Sequence, residues 1–137
     1  MYEIIPFKSV GPFEFKKSID EYLSAFEFEF IPKETDDDWN TYILKDGMLE
    51  IYTGEDLLIT SIACRGDIYL YAIMLIEMDI NVFWEKFNMN KINIKHETVF
   101  FHDDTEQEVY DIDDLGLQLW VDKYDKIVTV FVSGSTS

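Results

Sequence analysis

The chain has 137 residues, which is the length of one domain, so a single domain spanning 1–137 is predicted. Apolar residues make up 47% and aromatic residues 16% of the chain, and this composition excludes intrinsic disorder. Twenty-eight acidic and 11 basic residues give a net charge of −17, which disfavours binding to nucleic acids and to anionic lipid.

The first third of the chain predicts a strand, a helix and a second strand. VGPFEF at 10–15 is an apolar stretch, and SIDEYLSAF at 18–26 follows it. Ser18 and Glu21 have the spacing of a capping box, and Ile19, Tyr22, Leu23 and Phe26 fall on one helical stripe. EFEFIP at 27–32 alternates glutamate with phenylalanine, which is typical of a half-exposed antiparallel strand.

The middle of the chain predicts the same order again. IYLYAIMLIE at 68–77 is a second apolar stretch, and DINVFWEKFNM at 79–89 predicts a second helix, near 79–88, with Asp79 as its N-cap. INIKHETVFF at 92–101 has strand character. Two acidic runs, ETDDD at 34–38 and HDDTEQE at 102–108, occupy corresponding places and predict solvent-facing loops.

Residues 42–66 and 110–134 agree in most apolar and polar positions, and both predict an antiparallel meander. The sequence therefore predicts an α+β fold with an internal repeat, about 10–66 and 69–134. Each repeat would be a strand, a helix and an antiparallel β-meander, and both repeats would share one antiparallel sheet packed with two short helices. The polar tail at 133–137 is expected to be frayed.

Three features predict a cytoplasmic protein. The single cysteine, Cys64, lies in an apolar strand and is expected to be buried and inert, as in a reducing compartment. The N-terminal stretch lacks a basic region followed by an apolar core, so no signal peptide is predicted. The apolar run at 68–78 is too short to cross a bilayer and contains Glu77.

Metal and enzyme chemistry have only weak candidates. His102, Asp103 and Asp104, with His96 and Glu106, are the best potential metal ligands, but neighbours in a strand point to opposite faces and do not converge on one ion. The two histidines are far in sequence from Cys64, and no glycine-rich phosphate loop is present. We therefore predict no catalytic residues, no metal and no cofactor.

The acidity instead predicts a basic protein partner, because opposite charge speeds association. The two acidic runs and the aromatic residues beside them are the predicted partner-binding residues: Asp36, Asp37, Asp38, Trp39, Asp103, Asp104, Glu106, Glu108, Tyr110 and Asp111. If the repeats join in one sheet, the two runs could lie close together and form one field. Trp39 and Tyr110 would either cap the core or anchor an interface, whereas Trp84 and Trp120 are expected in the core.

The order of VGPFEF, SIDEYL and LGLQLWVDKYDKIVTVFV resembles that of small bacterial immunity proteins, which are partners of polymorphic toxins, including those of contact-dependent growth inhibition systems. This resemblance implies a cytoplasmic inhibitor that covers the active site of a toxin domain, with no catalytic residues of its own. We expect a nuclease domain as the partner. The alternatives are a nucleic-acid mimic that inhibits a DNA- or RNA-binding protein, and a small metal-binding protein or enzyme using the His102 region.

Overall fold

Thirteen strands and one short α-helix make up most of the computed structural model, which describes residues 1–32 and 39–134. The strands β1 to β13 are Tyr2–Ile5, Ser9–Val10, Phe13–Glu14, Phe28–Ile31, Asn40–Leu44, Leu49–Thr53, Ile59–Cys64, Ile68–Leu70, Ile73–Met74, Lys95–Phe100, Glu106–Ile112, Leu117–Val121 and Ile127–Ser133. The helix α1 is Ile80–Lys86, and 3-10 turns lie at Ile19–Glu21, Lys91–Asn93 and Asp113–Leu115.

The strands form two sheets. The large sheet has eight antiparallel strands in the order β10-β11-β12-β13-β7-β6-β5-β4. The small sheet has the order β3-β2-β1-β8-β9, in which β1 and β8 are parallel. Residues 42–66 contribute β5 to β7 and residues 110–134 contribute β11 to β13, so each repeated segment is an antiparallel meander.

The core lies on one face of the large sheet. In β6, Leu49, Ile51 and Thr53 are buried while the alternate residues are half-buried, and β12 has the same pattern. The small sheet and α1 cover this inner face: Phe13 packs on Phe28 with ring centroids 5.9 Å apart. Among the described residues, no second layer covers the opposite, outer face of the large sheet.

Equivalent backbone hydrogen bonds tie each meander to the chain that precedes it. Lys16 N donates to Ile59 O at 2.9 Å, and Glu77 N donates to Ile127 O at 2.7 Å. Both Lys16 and Glu77 have positive φ, 70° and 71°. The two meanders meet at β7 and β13, whose register is centred on the pair Ala63 and Phe131. The large sheet is thus two similar halves related by an approximate twofold axis at this seam.

The predicted pair of strand-helix-meander repeats in a single sheet is wrong, because the described residues are 49% strand and 12% helical and form two sheets. The second predicted helix exists as α1, and Asp79 caps it by accepting from Asn81 N at 2.8 Å. The first, at 18–26, is only the 3-10 turn Ile19–Glu21. Starting a helix costs free energy, so packing contacts decide the conformation of a segment this short. Here Tyr22 and Phe26 both pack on Phe13.

Two other boundaries differ from the sequence-based prediction. The stretch at 68–77 is a tight hairpin, β8 and β9, because Tyr71 and Ala72 both adopt positive φ and reverse the chain. Ser133 belongs to β13 and donates from its backbone to Gly116 O at 2.8 Å, so the predicted frayed tail begins too early; 135–137 lie outside the described residues. No helix in the described part of the chain is long and apolar enough to span a membrane.

Candidate protein-binding surface

Five aromatic rings cross the outer face of the large sheet in an unbroken series, which we call the aromatic diagonal. Its members are Trp39, Tyr52, Phe131, Trp120 and Phe101. Successive ring centroids lie 6.3, 6.3, 5.8 and 6.5 Å apart. The two terminal rings are exposed, Trp39 by 46% and Phe101 by 39%, and the three central rings are half-buried. Such a series of rings offers a partner large apolar area on rigid strands.

Strand alternation explains why these rings face outward. Tyr52 alternates in β6 with buried Leu49 and Ile51, and Trp120 alternates in β12 with buried Leu117 and Leu119. Val109 and Ala63, the cross-strand partners of Trp120 and Phe131, also face outward, yet both are fully buried. The large rings therefore lie over the small side chains of the neighbouring strands.

Polar contacts fix Tyr52 and Trp120, which occupy equivalent places in the two halves of the large sheet. The Tyr52 hydroxyl donates to Glu50 Oε2 at 2.8 Å, and Glu50 pairs with Arg65 at 2.7 Å. Burial and, next, the hydrogen bond to Glu50 raise the pKa of Tyr52 to about 12, so the phenol stays neutral and keeps donating. In the other half, Trp120 Nε1 donates to Gln118 Oε1 at 2.8 Å. This ring geometry is thus set before any partner binds.

The predicted binding residues lie in separate places. Asp36, Asp37 and Asp38 lie outside the described residues. Trp39 begins the aromatic diagonal, and Asp111 lies on the same outer face, where it accepts from Gln118 Nε2 at 2.8 Å and so supports the Trp120 contact. Of the predicted set, these two residues belong to the outer face.

Glu108 and Tyr110 lie on the inner face, near the β10 edge. Tyr110 is 4% exposed, packs edge-on against Trp84 at 5.3 Å and stacks on His96 at 4.6 Å. Burial, followed by the charge of Glu108, raises the pKa of Tyr110. Glu108 contacts His96 and accepts from Thr98 Oγ1 at 3.0 Å. Tyr110 is therefore a core residue and presents almost no surface to a partner.

Asp103, Asp104 and Glu106 form the β10–β11 turn and its exit. Asp103 Oδ1 accepts from Thr105 Oγ1 at 2.5 Å and from Thr105 N at 3.2 Å, and these bonds lower the pKa of Asp103. Asp104 and Glu106 line an open hollow of about 490 Å³ with residues of the β12–β13 turn. This turn is an acidic corner at the Phe101 end of the aromatic diagonal.

The two acidic runs do not precede neighbouring strands. They precede β5 and β11, which are separated by β6, β7, β13 and β12 in the large sheet. With about 4.8 Å between neighbours, five steps place these strands roughly 24 Å apart along the sheet. The approximate twofold axis also reverses the strand direction, so β5 and β11 begin at opposite ends. The starts of β5 and β11 thus lie far apart, but residues 34–38 are outside the described part of the chain, so the expectation that the two runs come together stays a prediction.

Sequence reasoning missed four of the five rings. Trp120 was expected in the core, but it lies on the outer face of β12. Tyr52, Phe131 and Phe101 were not singled out. The available signal was alternation: in LEIYT and LQLWV, Tyr52 and Trp120 are out of phase with the buried leucine and isoleucine positions. A large ring at a polar position of an amphipathic strand indicates a binding face.

Comparison with protein-family models, with curated proteins and with solved structures finds no match for this chain. In the described residues, no group of three or more His, Cys, Asp or Glu side chains is placed to hold a metal ion.

Proposed function

We propose that this chain is an acidic cytoplasmic binding protein that inhibits a basic partner protein by covering it with the outer face of the large sheet. The observation that supports this most directly is the aromatic diagonal on that face. Aromatic residues surrounded by polar groups form the energetic centre of many protein interfaces. Because Glu50 and Gln118 already hold the central rings, binding would cost little side-chain entropy.

The charge of the outer face supports a basic partner. Strand register places Glu29, Glu50, Glu97 and Asp111 on this face, against Arg65 and Lys95. Carboxylates therefore outnumber cations here, as they do over the whole chain. A face of this sign steers a basic partner toward it and repels acidic ones.

The resemblance to immunity proteins suggests the class of partner. We propose a toxin domain with nuclease activity, since its nucleic-acid groove would be basic and would complement this surface. Covering such a groove needs no catalysis, so we expect no enzymatic activity from the chain. Cys64 is buried and unpaired, and burial strongly raises the pKa of its thiol, as suits an inert cysteine in the reducing cytoplasm.

The test is co-expression with candidate basic toxin domains, sought among the genes next to the one for this chain, followed by growth assays and binding calorimetry. Replacing Trp120 with alanine should weaken binding by about 1–3 kcal/mol if this ring anchors the interface. Wild-type affinity in both the Trp120→Ala and Trp39→Ala variants would contradict the proposed binding face. Circular dichroism must show that both variants remain folded.

The double variant His96→Ala/His102→Ala tests whether protection requires catalysis or metal binding by the histidines. Both histidines are exposed, and neither belongs to the aromatic diagonal. Protection should persist in this variant, because occlusion needs neither imidazole. Loss of protection in a folded double variant, or its restoration by one particular metal ion, would favour an enzyme or a metal-binding protein.

A further inference from the structure

A niche lies at the Trp39 end of the aromatic diagonal. Trp39, Tyr52 and Phe131 border it, Thr60 and Ser61 complete its lining, and its volume is about 390 Å³. The Trp39 ring stands at 85° to Tyr52, whereas Tyr52 and Phe131 are nearly parallel, with an angle of 15°. The rings therefore form a corner with aromatic faces in two directions.

The lining predicts the chemistry of an occupant. No charged side chain is among the five lining residues. The Tyr52 hydroxyl is bonded to Glu50, and the other hydroxyls of the lining belong to Thr60 and Ser61. Thr60 Oγ1 donates to Tyr52 O at 3.2 Å, which leaves its oxygen lone pairs able to accept. Aromatic faces attract cations through their quadrupole, and hydroxyl oxygens accept from N–H donors. A planar cation with several N–H groups can both stack on these rings and donate to these hydroxyl oxygens.

The negative charge of the chain favours a cationic occupant of the niche over a neutral apolar one. The chain carries −17, and Glu50, a carboxylate next to the niche, accepts from the Tyr52 hydroxyl. The cation already beside it, Arg65, is engaged with Glu50 at 2.7 Å. A cation from outside would gain from the overall field as well as from the rings, whereas a neutral side chain would gain only from burial.

We propose that this niche receives an arginine side chain of the basic partner protein. The proposal rests on the proposed function and names the contact by which the partner is recognised. Arginine fits better than lysine because the guanidinium is planar, stacks on aromatic faces and has five donors that can reach the Thr60 and Ser61 hydroxyls. Lysine carries the same charge on a compact, strongly hydrated ammonium that cannot stack.

The experiment uses the full chain and three short peptides of one length. They are a Gly-Arg repeat, the same repeat with lysine, and the same repeat with neutral citrulline, which keeps the shape of arginine. Calorimetry near physiological salt gives affinities, and indole N–H resonances report the site. Trp39 should shift, and Trp84, which is 8% exposed, should not. The arginine peptide should bind roughly 2- to 10-fold more tightly than the lysine peptide.

Trp39→Ala should remove that preference for arginine. The matched control is Tyr124→Ala, because Tyr124 is a 68% exposed ring on the β12–β13 turn and is not part of the diagonal. This control should preserve the preference. Since Trp39 is 46% exposed and lies outside the core, its replacement should leave the fold intact, and circular dichroism checks this.

Each of the other outcomes would contradict either the proposed arginine occupant or the proposed function. Equal affinity for arginine and lysine peptides, or a preference that survives Trp39→Ala, overturns the niche while leaving a basic partner intact. If neither cationic peptide binds better than the citrulline peptide, attraction to basic partners, and with it the proposed function, fails. If sedimentation shows a dimer that Trp39→Ala dissociates, the niche is occupied by a second copy of the chain instead.

Discussion

At the scale of single residues, the outer face depends on a few hydrogen bonds that orient large rings. Tyr52 and Trp120 lie sixty-eight positions apart and face outward on β6 and β12. Each is held by the residue two positions before it on its own strand, Glu50 or Gln118. Because residues two apart in a strand share a face, this spacing lets a polar side chain and a ring meet there.

The Tyr52 contact predicts a pH dependence of stability. Burial and the hydrogen bond to Glu50 raise the pKa of Tyr52 from 10.0 to about 12. The unfolded chain loses this proton near pH 10 and the folded chain only near pH 12. The contribution is therefore complete below pH 10 and is lost as the pH rises toward 12. In Tyr52→Phe, the free energy of unfolding should fall less steeply over this interval.

Urea denaturation at several alkaline pH values measures this slope. Tyr2 also has its pKa raised to about 12, through burial and then its bond to Asp46, so Tyr52→Phe should reduce the slope without removing it. Tyr124→Phe, at an exposed ring, is the control. An unchanged slope in Tyr52→Phe would show that its neutral hydroxyl does not stabilise the fold.

Among the strands and turns, each meander has a glycine with positive φ in its first turn, but the two glycines differ in how closely other atoms surround them. Gly47 lies between β5 and β6 with φ of 75°, and Gly116 lies between β11 and β12 with φ of 66°. A methyl group on Gly47 would meet no atom within 4 Å. On Gly116 it would lie 2.7 Å from Phe7 and 2.8 Å from the Ser133 carbonyl oxygen. Of these two turns, only the one at Gly116 packs closely against other parts of the chain.

These two glycines give a matched pair of substitutions. Gly47→Ala should cost about 1 kcal/mol, which is the strain of a side chain at positive φ. Gly116→Ala should cost about 2–4 kcal/mol, because the same strain is joined by a clash with backbone. Urea denaturation of both variants measures the difference. Equal costs would mean that Phe7 and the end of β13 move aside freely.

At the scale of the whole molecule, the approximate twofold axis determines where charge can act. It separates β5 and β11, so the two acidic runs precede strands on opposite halves of the sheet. The aromatic diagonal runs between these halves across the β7–β13 seam. A basic partner covering the diagonal would therefore meet the acidic corner of Asp103, Asp104 and Glu106 at its Phe101 end.

The acidic runs should act on association more than on dissociation. Neutralising Asp103, Asp104 and Glu106 to Asn, Asn and Gln should slow association with the cognate basic partner by roughly threefold to tenfold at low salt. The same is expected when Asp36, Asp37 and Asp38 are replaced by Asn. Both variants should show a flatter dependence on ionic strength and equal or slightly higher thermal stability, because like charges are removed.

Stopped-flow kinetics across a salt series measures these rates, with Trp39→Ala as the contrasting variant. That variant should change mainly the dissociation rate, because a ring that becomes buried in the complex makes its contacts only after the two proteins have met. If both charge variants associate like the parent at every salt concentration, the acidic runs are only solvated surface.

Local patterns made part of this structure predictable. Alternation in LEIYT and LQLWV indicated β6 and β12, and Asp79 was identified as the cap of α1. The helix at 18–26 was not predictable in the same way, because packing of Tyr22 and Phe26 on Phe13 decides its form. Of the candidate site, Trp39 and Asp111 were identified from sequence, whereas Tyr110 lies in the core.

The acidity, the two meanders and the alternation that gives each strand an apolar face follow from the amino-acid sequence alone. These are local or additive properties, so they need no knowledge of long-range contacts. The pairing of β7 with β13, and the second sheet that covers one face of the first, follow from long-range packing. Trp39 lies beside Tyr52 through the local β5–β6 hairpin, whereas Phe131 reaches Tyr52 only through the non-local pairing of β7 with β13, because strand order depends on contacts that no local pattern encodes.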